Sequence, residues 1–297
     1  MSMSSDPLLL YCVGATKAGT SWLYRTLADR ADVALSAVKE THYWDTLAHE
    51  DRHKWVATLN LRRARFSEAL SDAEARGIDW KARNMSRQIA DVDRLLAMLK
   101  DGSRAAYFAY LQAGVTNDTR LIGDICPAYS LLDATTYREM AALSSETRFL
   151  FLIREPVARL WSAVRMQADR QLGPGETIEE KANNILWRVL ERGAEKHLTA
   201  RGAYSETITR LRQAIAPDAL RVMYMEELVT DAGYGALCEW LGLPASQAPV
   251  GDKVHAGQNI ALRPHLAARA ADLLAVEYTF AEQEVGPLPR AWQAQRP

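Results

Sequence analysis

The stretch from Leu8 to Leu27 limits what this chain can fold into more than any other. Leu8-Leu9-Leu10-Tyr11-Cys12-Val13 is an apolar run of strand length. It breaks into Gly14-Ala15-Thr16-Lys17-Ala18-Gly19-Thr20-Ser21-Trp22, after which Leu23 and Leu27 recur one helical turn apart. The order is strand, short loop, helix. Gly14 and Gly19 open backbone conformations closed to other residues, so the loop can turn its amide N–H groups toward an anion. The helix presents its own free N–H groups and positive dipole end to the same place. The loop nearly fits the nucleotide-triphosphate pattern G-x-x-x-x-G-K-[ST]: the two glycines have the spacing and Ser21 the hydroxyl position. Thr20, however, stands where the lysine belongs, and the lysine lies inside the loop as Lys17. The segment reads as an anion cradle of altered design, with an ordinary strand-to-helix turn and a solvated lysine as the plainer alternative.

A second segment, Arg148 to Ser162, has the same logic. Phe149 to Ile153 are five consecutive apolar residues, the mark of a strand buried on both faces. Arg154 stands at its end, Pro156 falls in a first helical turn, where its missing N–H costs nothing, and Ser162 follows one to two turns into the helix. An arginine and a hydroxyl so placed can bracket a second phosphate. The first strand is followed by a short one over 32–38, which delivers Lys39-Glu40-Thr41-His42-Tyr43-Trp44 beyond its end, where ligand sites of open α/β sheets gather. If those two strands are neighbours, this hexapeptide lies beside the lysine loop. Its plainer reading is a charged loop ending in an aromatic plug.

Residues 45–114 become helical and strongly charged, with apolar positions such as Trp55, Leu59, Phe66, Val92, Leu95 and Leu99 at helical intervals and breaks at Gly77 and Asp101-Gly102. Three or four helices are expected there, as an insertion in one domain spanning 1–297. Its basic run Arg62-Arg63-Ala64-Arg65 is either a contact for an acidic acceptor or a solvated helix face. Lys and Arg number 36 against 37 Asp and Glu, a net charge of -1, so no global field favours nucleic acid or an anionic membrane. Any anion binding must come from local clusters. Cys12, Cys126 and Cys238 are far apart and read as buried thiols of a reducing compartment, without metal-ligand spacing. The first apolar run is too short to span a bilayer and lacks a basic stretch ahead of it, so a cytoplasmic protein without membrane insertion is expected.

Thr16 to Leu23 resembles the 5′-phosphosulfate loop of the sulfotransferases that use 3′-phosphoadenylyl sulfate (PAPS), K-[SAT]-G-T-[ST]-x-[LF]. Ile153, Arg154, Pro156, Arg159 and Ser162 match every fixed position of that family's 3′-phosphate segment, [IV]-R-x-P-x-x-R-x-x-S. Lys39 to Trp44 is similar to the K-E-x-H-[FY]-[FW] segment of the heparan-sulfate-type and many bacterial members. Leu121 to Tyr129 resembles G-E-x-[ST]-P-x-Y, with Asp124 for the glutamate and Cys126 for the hydroxyl residue. Gly202 and Tyr204 resemble a following G-x-Y, and Leu220 to Leu228 resembles a strand ending in [YR]-x-E-[ED]-L.

The resemblance implies a P-loop-like α/β fold, a central mostly parallel sheet with helices on both faces, and residues 45–114 as an insertion or lid over the acceptor site. It implies PAPS as co-substrate, adenosine 3′,5′-bisphosphate as product, no metal, and a small-molecule, sugar or lipid acceptor. Lys17, Ala18, Gly19, Thr20, Ser21 and Trp22 would hold the 5′ end, Arg154 and Ser162 the 3′-phosphate. Glu40 is the first choice of base and His42 the second. Lys17 would follow the charge on the leaving oxygen, and Lys39 would hold the acceptor or the developing charge. Lys253, His255 and Gly257 are candidates for a loop closing over the nucleotide. Two other readings share the opening motif: a P-loop small-molecule kinase using Mg-ATP, disfavoured by the displaced lysine and the Arg154–Ser162 pair, and a non-catalytic relative acting through the helical insertion.

Overall fold

The computed structural model describes residues 6–249, 260–294 and 296. Lys253, His255 and Gly257 lie outside the described residues. Five strands form one sheet: β1 (Leu8–Gly14), β2 (Val33–Leu35), β3 (Leu121–Ile125), β4 (Thr147–Ile153) and β5 (Leu220–Tyr224). Their order is β2-β3-β1-β4-β5 and every pairing is parallel. β1 and β3 are buried throughout, which explains why their sequences are apolar without alternation: both faces of the sheet are covered. With all strands parallel, their carboxyl ends open on one edge. The chain builds to one side of β1 and then to the other, so the crevice for a ligand falls at the end of β1.

Helix α1 (Thr20–Ala28) follows the glycine loop. The insertion then supplies α2 (Tyr43–Ala48), α3 (Arg52–Ala75), α4 (Asp79–Asp101) and α5 (Arg104–Leu111). α3 and α4 form an antiparallel hairpin, as their cross-links show: Asp72 to Lys81 near the turn, Arg63 to Asp93 midway, Arg52 to the Leu99 carbonyl at the open end. Within the basic run at 62–65, Arg63 pairs with Asp93 of this hairpin at 2.6 Å and Arg62 lies over the Trp55 ring. After β3 come a 3-10 turn (Pro127–Leu131) and α6 (Ala134–Ala141), and after β4 come α7 (Pro156–Arg170), α8 (Ile178–Arg192), α9 (Lys196–Ala200) and α10 (Tyr204–Ala214). α8 and α9 are separate helices because Gly193 takes the left-handed conformation and closes α8. α11 (Met225–Leu228) and α12 (Asp231–Trp240) follow β5, and α13 (Pro264–Leu273), α14 (Ala275–Glu284) and α15 (Arg290–Gln293) complete the described chain. All three cysteines are free and buried.

One expectation needs correction. β2 is not beside β1: β3 lies between them. Residues 39–44 therefore start two strands from the lysine loop and must cross the end of β3 to approach it.

Candidate active site

The loop after β1 shows how little of an anion cradle is spent on itself. Gly19 caps α1 in the left-handed region at φ 90°, and no side chain caps the helix. The N–H groups of Thr20, Ser21 and Trp22 meet no carbonyl among the described residues, so the first turn of α1 keeps its donors. A Cβ at Gly19 would stand 2.9 Å from Met225 Cγ, so both its conformation and its neighbour demand glycine. Ala18 is different from the expectation: its N–H closes the turn on the Ala15 carbonyl at 3.1 Å and is not a spare donor. Trp22 contributes its N–H while its ring packs edge-on to Tyr234.

Lys17 also has a left-handed backbone, φ 72°, and Arg154 Nη1 donates to the Lys17 carbonyl at 3.2 Å. The two anion grips read from sequence thus meet. Arg154 is itself held by Tyr204, whose hydroxyl donates to the Arg154 carbonyl at 2.7 Å and accepts from its N–H at 3.4 Å. Gly202 makes room for buried Arg159: a Cβ there would lie 2.4 Å from the guanidinium, which donates to the Leu198 carbonyl at 2.8 Å. The G-x-Y pair therefore serves both arginines of the segment. Ser162 is half-buried on α7, one turn before Met166, whose sulfur lies 4.0 Å from Lys17 Nζ; this helix face turns to the loop.

Burial lowers the Lys17 ammonium pKa, and Arg154, Arg165, Arg170 and Lys39 lower it further by repulsion. Arg154, Arg165, Arg170 and Lys39, the last itself paired with Glu40, are thus near enough to repel this ammonium, and among the described residues Lys17 has no acidic partner. Arg165 and Arg170 were not singled out from sequence. The usable signal was the spacing of Arg165, three residues beyond Ser162 on the same helix.

The Lys39–Trp44 segment is anchored at the end of β3, with Lys39 near enough to the lysine loop to repel Lys17. Asp124, buried in β3, accepts at Oδ2 from Thr41 Oγ1 (2.6 Å), Tyr129 (2.7 Å) and Tyr107 (2.9 Å). Burial raises its pKa, and the three hydroxyls hold it back. Thr41 is pinned from the other side by Trp55 Nε1, which donates to its carbonyl at 2.8 Å. The residues flanking it, Glu40 and His42, have left-handed backbones at φ 69° and 54°, which puts their side chains side by side. Glu40 Oε1 takes a hydrogen bond from Lys39, and Glu40 Oε2 lies 3.5 Å from His42 Nε2. Burial would raise the Glu40 carboxyl, but His42 and Lys39 outweigh it and hold it down at about 2. Tyr43 and Trp44 are fully buried, as the plug reading expected of them.

A groove of about 870 Å³ opens between α2, α3 and α4, walled by Leu47, Val56, Leu96 and Leu99 with Arg52 and Lys100 at its edge. None of Lys17, Glu40 or His42 lines it.

A parallel sheet with a lysine-bearing glycine loop at the end of its central strand, a second basic grip beside it and a carboxylate–imidazole pair across β3 defines a P-loop-like transferase of anionic groups. The match to a sulfotransferase family profile over residues 9–247 narrows this class, and the chain belongs to the sulfotransferase family. No curated protein matches it. Among solved structures it is similar to a sulfotransferase from Alicyclobacillus acidocaldarius at 18% identity and TM-score 0.60, covering 97% of this chain and 99% of that one, which bears on fold alone. It also aligns with the sulfotransferase domain from the curacin biosynthetic pathway at 16% identity and TM-score 0.49, over 95% of this chain and 99% of that one. No helix among the described residues is long and apolar enough to cross a membrane.

Proposed function

We propose that the protein moves a sulfuryl group from PAPS to a hydroxyl or amine of a small-molecule, sugar or lipid acceptor by in-line displacement, in the cytoplasm and without a metal. The observation that carries this reading is that Lys17 and Arg154 meet, Arg154 Nη1 donating to the Lys17 carbonyl at 3.2 Å and its charge repelling the Lys17 ammonium, at a loop whose first-turn N–H groups are unspent. Such repulsion is costly unless a polyanion relieves it. A further sign of fit is Thr16 Oγ1, buried in the loop without a partner.

Lys17, the hydroxyls of Thr20 and Ser21 and the N–H groups of Thr20 to Trp22 would hold the phosphosulfate end, and Arg154 and Ser162 the 3′-phosphate. The donor supplies an activated sulfuryl group. Lys17 stands to neutralise charge growing on the leaving oxygen, an interaction stronger in the transition state than before it, and so takes the place a divalent ion has in nucleotide triphosphate sites. Glu40 accepts the acceptor's proton. At a pKa of about 2 it is a weak base, but an acceptor oxygen becomes strongly acidic as its bond to sulfur forms, so a carboxylate suffices if the proton leaves late. Lys39 orients that carboxylate. The insertion would form the acceptor's enclosure.

Calorimetry with adenosine 3′,5′-bisphosphate in the presence of a chelator, set against ATP with Mg²⁺, tests the reading. Metal-free bisphosphate binding is expected, weakened about 10-fold to 100-fold by Lys17→Met, the worth of one charged hydrogen bond. Binding of Mg-ATP alone would overturn it.

A further inference from the structure

His42 is placed between two carboxylates. Asp45 Oδ2 lies 2.8 Å from its Nδ1, and Glu40 Oε2 lies 3.5 Å from its Nε2. With Asp45 Oδ2 on Nδ1 and Glu40 Oε2 at ion-pair distance from Nε2, an anion stands at each ring nitrogen, an arrangement that favours the doubly protonated imidazolium over either neutral tautomer. The ring cannot turn away. Its backbone is left-handed, Thr46 Oγ1 donates to its carbonyl, and the Trp55 ring sits 4.3 Å from it.

We propose that Asp45 is a positioning residue that keeps His42 doubly protonated, so that His42 serves as a fixed cationic clamp on the Glu40 carboxylate and not as a second base. This rests on Glu40 being the proton acceptor of the sulfuryl transfer proposed above. Glu40 then has a cation on each oxygen, Lys39 on Oε1 and His42 on Oε2, which fixes the direction of its remaining lone pairs toward the acceptor.

The groups facing His42 from each element agree. Asp45 comes from α2, Glu40 and Lys39 from the segment before it, and the uncharged Trp55 ring from α3. Cys126, just past β3, places its sulfur within 4.8 Å of a His42 ring nitrogen and an Asp45 carboxylate oxygen, and burial pushes that thiol up to about 12, so it stays protonated near neutral pH. Burial works against the imidazolium, whereas the hydrogen bond to Asp45 and the Glu40 carboxylate favour it. Asp45 Oδ1 is buried without a hydrogen-bond partner, and Oδ2 is the carboxylate oxygen that meets His42.

The test reads the ring directly. In protein labelled with ¹⁵N-histidine, with the His42 signals assigned by their loss in His42→Gln, the wild type is expected to keep both ring nitrogens protonated through pH 9. In Asp45→Asn the ring should titrate at about 6.5, the ordinary value. Turnover of Asp45→Asn should fall about 10-fold as pH rises through that value with the donor KM unchanged, and Asp45→Glu should restore a flat profile. A wild-type ring that titrates at about 6.5 overturns the proposal without any variant. So does an Asp45→Asn ring that titrates like the wild type, or an Asp45→Asn turnover without pH dependence. The ring titration needs no substrate, so a chain that failed to bind the bisphosphate would refute the sulfotransfer reading separately.

Discussion

Asp124→Asn separates the scaffold of the site from its chemistry. Asp124 Oδ2 accepts three hydroxyl hydrogen bonds at 2.6, 2.7 and 2.9 Å, and Oδ1 faces the Thr41 N–H at 3.5 Å. An asparagine cannot serve this arrangement. With its oxygen toward the hydroxyls, its NH₂ meets the Thr41 N–H donor; reversed, its NH₂ faces three hydroxyls that now compete for acceptors. Each of the three bonds drops from charge-assisted to neutral or worse, a loss of about 1 kcal/mol apiece, partly offset because no charge is buried. The expected destabilisation is about 2 to 4 kcal/mol, or about 5 to 12 °C in Tm for a chain of this size. Thr41 loses its anchor, so Glu40 and His42 shift, and a displacement of about 1 Å at the reacting groups lowers kcat about 100-fold. Bisphosphate affinity should stay within about 2-fold, because Lys17 and Arg154 lie across β1 from the change. Thermal melts, calorimetry and turnover with the same preparation check all three. A variant that melts within about 1 °C of the wild type, or that turns over at the wild-type rate, would refute the argument that Asp124 builds the site.

Two further predictions come from other contacts. Gly202→Ala puts a Cβ against the buried Arg159 guanidinium and should cost about 1 to 3 kcal/mol by overpacking, read as a lower midpoint in urea; it should also weaken bisphosphate binding, since Tyr204 two residues on holds Arg154. Glu40 titrates at about 2 in the fold against about 4.3 unfolded, so its contribution is present above about pH 4.3 and is lost as pH falls toward 2. The Tm difference between wild type and Glu40→Gln should therefore shrink over that window, and an unchanged difference would argue against the Lys39–Glu40–His42 cluster.

Much of the fold was legible because its signals are local. The run from Leu8 to Val13, the loop around Lys17 and the strand from Phe149 to Ile153 ending in Arg154 each carry their element in contiguous residues. That residues 45–114 are helical, with breaks at Gly77 and Gly102, was legible from apolar spacing and from those two glycines, both of which adopt left-handed backbones; that α3 and α4 pack as an antiparallel hairpin was not. The break between α8 and α9 was not legible, because a helix ends where the backbone turns left-handed, as at Gly193, and one glycine allows this without announcing it.

The sequence by itself determined which segments are strands, where the basic segments around Lys17 and Arg154 stand, and that Lys39, Glu40 and His42 travel together. Tertiary structure alone decided that β3 intervenes between β1 and β2, that Asp124 reaches 83 residues back to fix Thr41, and that Arg165 and Arg170 join Lys17. It also set Asp45 against His42, where sequence offered only a short helical spacing. The reason is physical: backbone conformation answers to neighbours within a few residues, whereas the charge state and direction of a side chain answer to whatever the packed sheet brings within about 4 Å of it.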